Sequence, residues 1–200
     1  MAIKNIQYKY EKDLPLFNNV YKRINSDNDS DISWQLVNES FYSSYVFYFG
    51  GQVIPENFKN ITNPSFLKSL ISYVEVSMGC KLKQLVSIEA HRQIKGHKVE
   101  VHNDYDYKRE GYPNIRLIWN LNGRDKLRKG GNFCFNAKNG VISKIFPIIK
   151  NTMILFKISK DSFHSINEII SGQRDVIVFS FWTNNKKVSQ EEICFYPNLN

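Results

Sequence analysis

At Leu82 the sequence changes period, and from there to Trp182 its apolar residues recur at strand spacing instead of helical spacing. Leu85 to Gln93, Val99 to Asp104, Ile115 to Leu121, Phe133 to Phe135, Val141 to Ile149, Thr152 to Lys157, Ser159 to Ile166 and Arg174 to Trp182 read as strands. They are short and rich in β-branched and aromatic residues. Turn signals punctuate them: Lys95-Gly96, Asn139-Gly140, which suits a tight hairpin, and Ser171-Gly172-Gln173. Short strands in such close succession fit a double-sheet jelly roll, the double-stranded β-helix. The expected fold is mainly β with flanking helices.

Before Leu82 the pattern differs. Lys12 to Asn25 reads as an amphipathic helix carrying Leu16, Val20 and Ile24 at i, i+4 and i+8. Ser26 to Ser30 is a polar loop, and the aromatic-dense stretch Trp34 to Phe49 alternates enough for strands ending at Gly50-Gly51. A second helix starts at Asn63-Pro64, a capping residue followed by proline in the first turn, and stops at Gly79. Residues 1–81 are thus expected to buttress a core at 82–182, with 183–200 as a C-terminal cover, all within a single domain of 200 residues. No apolar run approaches the roughly 20 residues that a membrane span requires. The amino terminus lacks the apolar stretch of a signal peptide. Three widely spaced cysteines, Cys80, Cys134 and Cys194, fit a reducing compartment better than a disulfide framework or a zinc site. A soluble, cytoplasmic protein is expected.

The chemistry concentrates in Val99-Glu100-Val101-His102-Asn103-Asp104. His102 and Asp104 are two apart, so on a strand both project from one face. His164 lies in a later strand-like run that a barrel can set beside the first. Two imidazoles and one carboxylate bind a divalent metal without saturating it, which suits non-haem Fe(II) used with dioxygen. Arg174 opens the last strand. Its planar fork grips a carboxylate through two parallel hydrogen bonds, so it is placed to hold the far end of a dicarboxylic keto acid that chelates the iron.

His-x-Asp, a distal His and an Arg ten residues beyond it resemble the Fe(II)/2-oxoglutarate-dependent oxygenases, the prolyl-hydroxylase-like branch in particular. The flanking text is similar too: Ile115 to Asn122 followed by Gly130-Gly131-Asn132-Phe133, then Pro147 and Asn151 to Phe156 leading into His164. The resemblance covers roughly Leu82 to Trp182. It implies a dioxygenase that hydroxylates a C–H bond while decarboxylating 2-oxoglutarate to succinate and CO2. It also implies Fe(II) on His102, Asp104 and His164, 2-oxoglutarate on Arg174, O2 as co-substrate and ascorbate as an optional reductant. A halogenase is disfavoured, because that branch lacks the carboxylate ligand and Asp104 is present.

Three positions depart from the family's pattern. Val176 stands where a hydroxyl residue is frequent, Asn120 where many members have Tyr, and Arg92 where the branch often has another Tyr. Asn120, through its amide, and Arg92, through its charge, are therefore expected to rebuild the keto-acid pocket. The loop from Tyr105 to Asn114 offers Tyr105, Tyr107 and Tyr112 as substrate contacts. The net charge of +8 is spread along the chain, without a Lys/Arg block long enough for a nucleic-acid arm. The expected substrate is polar or anionic, a small molecule or a peptide segment. It would lie between that loop and the basic loop Asn122 to Gly131. Duplex nucleic acid is the rival that the same charges allow, and a jelly-roll metal- or ligand-binding module without turnover is the alternative outside enzymes.

Overall fold

A computed structural model describes residues 6–17, 20, 34–50, 53–105, 111–122 and 129–188. Among them, eleven strands form two antiparallel sheets. The strands are β1 (Tyr8–Lys12), β2 (Gln35–Asn38), β3 (Ser43–Tyr48), β4 (Ser87–Ile94), β5 (Val99–His102) and β6 (Ile115–Asn120). They continue with β7 (Phe133–Asn136), β8 (Ile142–Phe146), β9 (Thr152–Lys157), β10 (His164–Ile166) and β11 (Gln173–Phe181). The large sheet runs β1-β9-β6-β11-β4-β3-β2 and the small one β5-β10-β7-β8. This is the expected jelly roll. The strands before Leu82 extend the same large sheet, so buttress and core share one hydrogen-bonded layer.

Side-chain alternation along the strands divides the apolar residues into two cores. Ile177, Phe179 and Phe181 of β11, Leu117 and Trp119 of β6, and Met153 and Leu155 of β9 pack against helix α1 (Pro64–Met78). Their alternates, Val176, Val178, Ile118, Ile154 and Phe156, meet Val99, Phe133, Phe135, Phe146 and Ile166 of the small sheet. Covered on both faces, β6, β9 and β11 read as nearly continuous apolar runs. Helix α1 turns Leu67, Leu70, Ile71 and Val74 inward, each at most 1% exposed. Burying one such side chain contributes about 1.5–3 kcal/mol. The helix begins as the sequence predicts: the Asn63 side chain accepts hydrogen bonds from the Ser65 and Phe66 backbone N–H groups, and Gly79 closes it at φ 62.

Several expected boundaries move. Lys12 ends a strand instead of starting a helix, because Tyr8–Lys12 pairs with β9 from Tyr8↔Phe156 to Lys12↔Thr152. Asp13, at φ 51, then breaks the chain direction, and residues 15–17 and 20 are helical. The remainder of that predicted helix, with Ile24, lies outside the described residues, as does the tail 189–200. Ser159 to Ser162 forms a turn closed by the Ser162 hydroxyl on the Ser159 carbonyl, which shortens the predicted strand to His164–Ile166. β8 stops at Phe146, just before Pro147. Gly130 sits at φ +83, where an added Cβ would lie 1.8 Å from the Glu168 carbonyl oxygen. Only glycine permits this close approach, which fastens the entrance of β7 to the exit of β10.

Candidate metal centre

β10 lies between β5 and β7, with His164 opposite both His102 and Phe135. The two imidazole rings therefore stand 4.2 Å apart, centroid to centroid. His102 Nδ1 is 2.9 Å from the Glu100 carbonyl oxygen, and His164 Nδ1 is 2.9 Å from that of Ser162. A carbonyl only accepts, so each Nδ1 carries a hydrogen and donates it. In the neutral rings this leaves both Nε2 atoms as bare lone pairs, and both face Asp104. Nε2 of His102 is 3.4 Å from Asp104 Oδ1, and Nε2 of His164 is 3.7 Å from Oδ2. One donor atom from each of the three residues lies within 4.8 Å of the others.

Asp104 does not reach this place by strand alternation, since β5 ends at His102. It sits in the following turn, where Asn103 accepts from the Tyr105 N–H and donates to the Lys160 carbonyl. Arg116 of β6 approaches from the large sheet, with Nη2 3.2 Å from Asp104 Oδ2. Burial alone would raise the carboxyl's pKa, but Arg116, His164 and His102 outweigh it and hold it well below the usual carboxylate range. Burial pushes the His164 imidazole down to about 4, against the pull of Asp104. At His102 burial also lowers the pKa, but the Asp104 carboxylate prevails and the net direction is upward. The carboxylate thus attracts a positive charge into the gap, and His164 remains neutral, as a metal ligand must be. The donor set fits a divalent metal: two imidazoles whose Nδ1 hydrogens are committed to backbone carbonyls, and one ionised carboxylate.

The three residues line a cavity of about 320 Å³ between the sheets. Arg174, 3% exposed, lines it as well, with Nη1 donating to the Gln93 side chain at 2.7 Å. The walls include Ile118, Phe133, Val176 and Val178. His164 stacks on Phe133 with centroids 5.5 Å apart. The structure therefore brings His102, Asp104, His164 and Arg174 into one space.

Other expected residues lie elsewhere. Arg92 points away from the cavity, contrary to the expectation of added charge beside the keto acid. Its guanidinium pairs with Asp175 through Nε at 2.9 Å and Nη2 at 3.2 Å, and it lies over the Trp34 ring. The strand alternates, so the cavity instead receives Glu89, His91 and Gln93. Asn120 donates to the Thr152 hydroxyl at 2.9 Å and is not among the cavity's lining residues. Tyr112 is 8% exposed within the inner core, and Tyr105 leans on its ring; neither lines the cavity. Tyr107 and most of the basic loop lie outside the described residues. Sequence reasoning missed Arg116 and the chain Tyr42–His91–Glu89, whose two links are each 2.9 Å. A single charge inside the apolar run Ile115–Asn120 was the available signal for Arg116.

No protein-family model and no curated protein matches the sequence. Solved structures do match in shape. A Pseudomonas putida prolyl-4-hydroxylase superposes with TM-score 0.69 at 12% identity, covering 92% of this chain and 96% of that one. A Trichoplax adhaerens prolyl hydroxylase, solved with a hypoxia-inducible-factor peptide fragment, gives 0.67 at 13% identity over 90% and 86%. HygX from Streptomyces hygroscopicus, with nickel and 2-oxoglutarate bound, gives 0.62 at 11% over 92% and 86%. The fold is the one these proteins share. No helix among the described residues is long and apolar enough to cross a membrane.

Proposed function

We propose that the protein is an Fe(II)- and 2-oxoglutarate-dependent dioxygenase that hydroxylates a C–H bond of a polar substrate, either a small molecule or a peptidyl residue. One observation carries this reading: two imidazole Nε2 lone pairs and the Asp104 carboxylate converge, while both Nδ1 hydrogens are committed to backbone carbonyls. His102, Asp104 and His164 would hold the iron, and the Arg174 fork would take the distal carboxylate of 2-oxoglutarate. Bound iron, 2-oxoglutarate and O2 supply the oxidation: the keto acid becomes succinate and CO2, and one oxygen atom enters the C–H bond. The chain's part is to orient and enclose. The backbone carbonyls of Glu100 and Ser162 fix the ligand rings, and Ile118, Phe133, Val176 and Val178 keep the cavity walls dry. The peptide fragment in the Trichoplax structure makes a peptidyl substrate the first class to try. The cysteine pattern suits action in a reducing, cytoplasmic setting.

Succinate release, measured with Fe(II), O2 and 2-oxoglutarate over a panel of prolyl peptides, free amino acids, sugars and nucleobases, tests the proposal. At least one candidate is expected to raise release above the substrate-free rate, and His164→Ala to abolish it. Iron-independent release, or release that survives His164→Ala, would overturn the reading. An iron- and keto-acid-binding protein that never turns over would instead be a binding module.

A further inference from the structure

Arg116 lines the cavity beside Asp104, and the metal-site reading gives it no role. Arg116 is the single charged residue of β6, a strand bracketed by β9 and β11 in the middle of the large sheet. Its neighbours on the same face of the sheet offer no charge: Phe156 lies directly opposite on β9, Ser180 directly opposite on β11, and Ile118 is two residues on. A charge on such a face costs free energy unless something compensates it. The compensation in view is Asp104, with Nη2 3.2 Å from Oδ2. Asp104 itself lies beyond the end of β5, so no strand pairing fixes the backbone that carries its carboxylate. A rigid strand thus reaches across to steady a ligand carried by a turn.

We infer that Arg116 is a positioning residue for the metal's carboxylate ligand, holding one oxygen of Asp104 so that the carboxylate binds metal through the other alone. The inference rests on the proposed triad. A carboxylate free to turn can chelate a cation through both oxygens and fill two coordination positions. An open site needs those positions for the co-substrate. A guanidinium on Oδ2 removes that option, because the oxygen that donates to metal must swing away from the fork that holds the other. The fork is directional where an ammonium is a point charge, so Arg and Lys differ in this task. The guanidinium also repels a divalent cation, so it trades some metal affinity for an open coordination sphere.

Co(II) and 2-oxoglutarate, titrated in sequence under anaerobic conditions, test the inference without turnover. Visible absorption reports the cobalt geometry, and thermal melting confirms that each variant is folded. Arg116→Met is expected to bind Co(II) about tenfold more tightly, since a nearby like charge has gone. The cobalt-loaded variant is expected to bind 2-oxoglutarate about tenfold more weakly, with a changed cobalt spectrum before the keto acid is added. Arg116→Lys, which keeps the charge and loses the fork, is expected to restore the metal affinity and only part of the keto-acid affinity. If Arg116→Met leaves both constants unchanged, or weakens both together, Arg116 has no positioning role. If Arg116→Met does not fold, Arg116→Lys decides alone: wild-type keto-acid affinity and spectrum would overturn the inference. His164→Ala separates the two layers of the argument. Loss of Co(II) there with no effect of Arg116→Met sinks this inference only, whereas unchanged Co(II) binding in His164→Ala sinks the triad and this inference with it.

Discussion

On β11, Ile177, Phe179 and Phe181 point toward helix α1, while Arg174, Val176 and Val178 point toward the small sheet. The same alternation holds on β6, where Leu117 and Trp119 face the helix and Arg116 and Ile118 face the cavity. The strands are shared, but the two faces differ in kind. The helix-side face is apolar at its centre, with the Arg92–Asp175 pair towards its edge, and it buries rings as large as Trp119 and Phe179 completely. The cavity-side face carries Arg174, Arg116, Glu89 and His91 among its apolar residues. Buried charge is costly, so a sheet can tolerate this only if its other face is a dry, well-packed core. One layer is thus divided between two tasks: the face against α1 buries most of the apolar side chains, and the face against the small sheet carries the charged and metal-ligating groups.

The strongest way to break the comparison is to delete a ligand. His102→Ala and His164→Ala are each expected to abolish iron-dependent succinate release while leaving the melting transition close to wild type. Removing one of three ligands empties an open site, whereas the jelly-roll core does not depend on it. The opposite result should come from the helix-side face. Leu70→Ala or Phe179→Ala is expected to cost about 3–5 kcal/mol of stability in denaturant unfolding. Metal and 2-oxoglutarate affinities of the folded fraction should stay unchanged.

Arg174 against Arg92 sharpens the comparison, because they lie on neighbouring strands and face opposite ways. Arg174→Ala is expected to weaken 2-oxoglutarate binding by about 2–5 kcal/mol, with Arg174→Lys recovering only part. Calorimetric titration of the metal-loaded protein reads this directly. Arg92→Met should be the smallest effect of all. It removes a partly exposed pair with Asp175 at a cost of about 1 kcal/mol or less in stability, and it should leave keto-acid affinity at the wild-type value.

Arg92 also shows where legibility in the sequence ended. A strand reverses its face with every residue, and residue type alone does not say which face a position takes. Arg92 takes the helix-side face beside Asp175, whereas His91 and Gln93 take the cavity side. The features that were read correctly carry local signals: Asn63-Pro64 and Gly79 bound α1, and turns separate most of the strands. His102 and His164 could be named from order and residue type, yet their pairing across β5 and β10 is a tertiary fact. Asp104 approaches the two imidazoles from the turn after β5, not from the strand as strand alternation predicts. Tyr42 enters the cavity because backbone bonds from Ser43 to Lys98 and from Glu100 to Phe41 tie its hairpin to β5. Nothing local in the Trp34 to Phe49 stretch announces that contact. An aromatic residue in a loop near a site reads as a substrate contact, but the Tyr112 ring completes the inner core.

The central claim is that His102, Asp104 and His164 hold one metal ion whose open positions accept a keto acid anchored by Arg174. Anaerobic titration of the protein with Fe(II) and then 2-oxoglutarate tests it most directly, followed by the visible charge-transfer absorption of the complex. A band is expected that saturates at one equivalent of each, vanishes in His164→Ala, and needs far more 2-oxoglutarate in Arg174→Ala. Absence of the band in the wild-type protein, or a band of equal strength in His164→Ala, would contradict it.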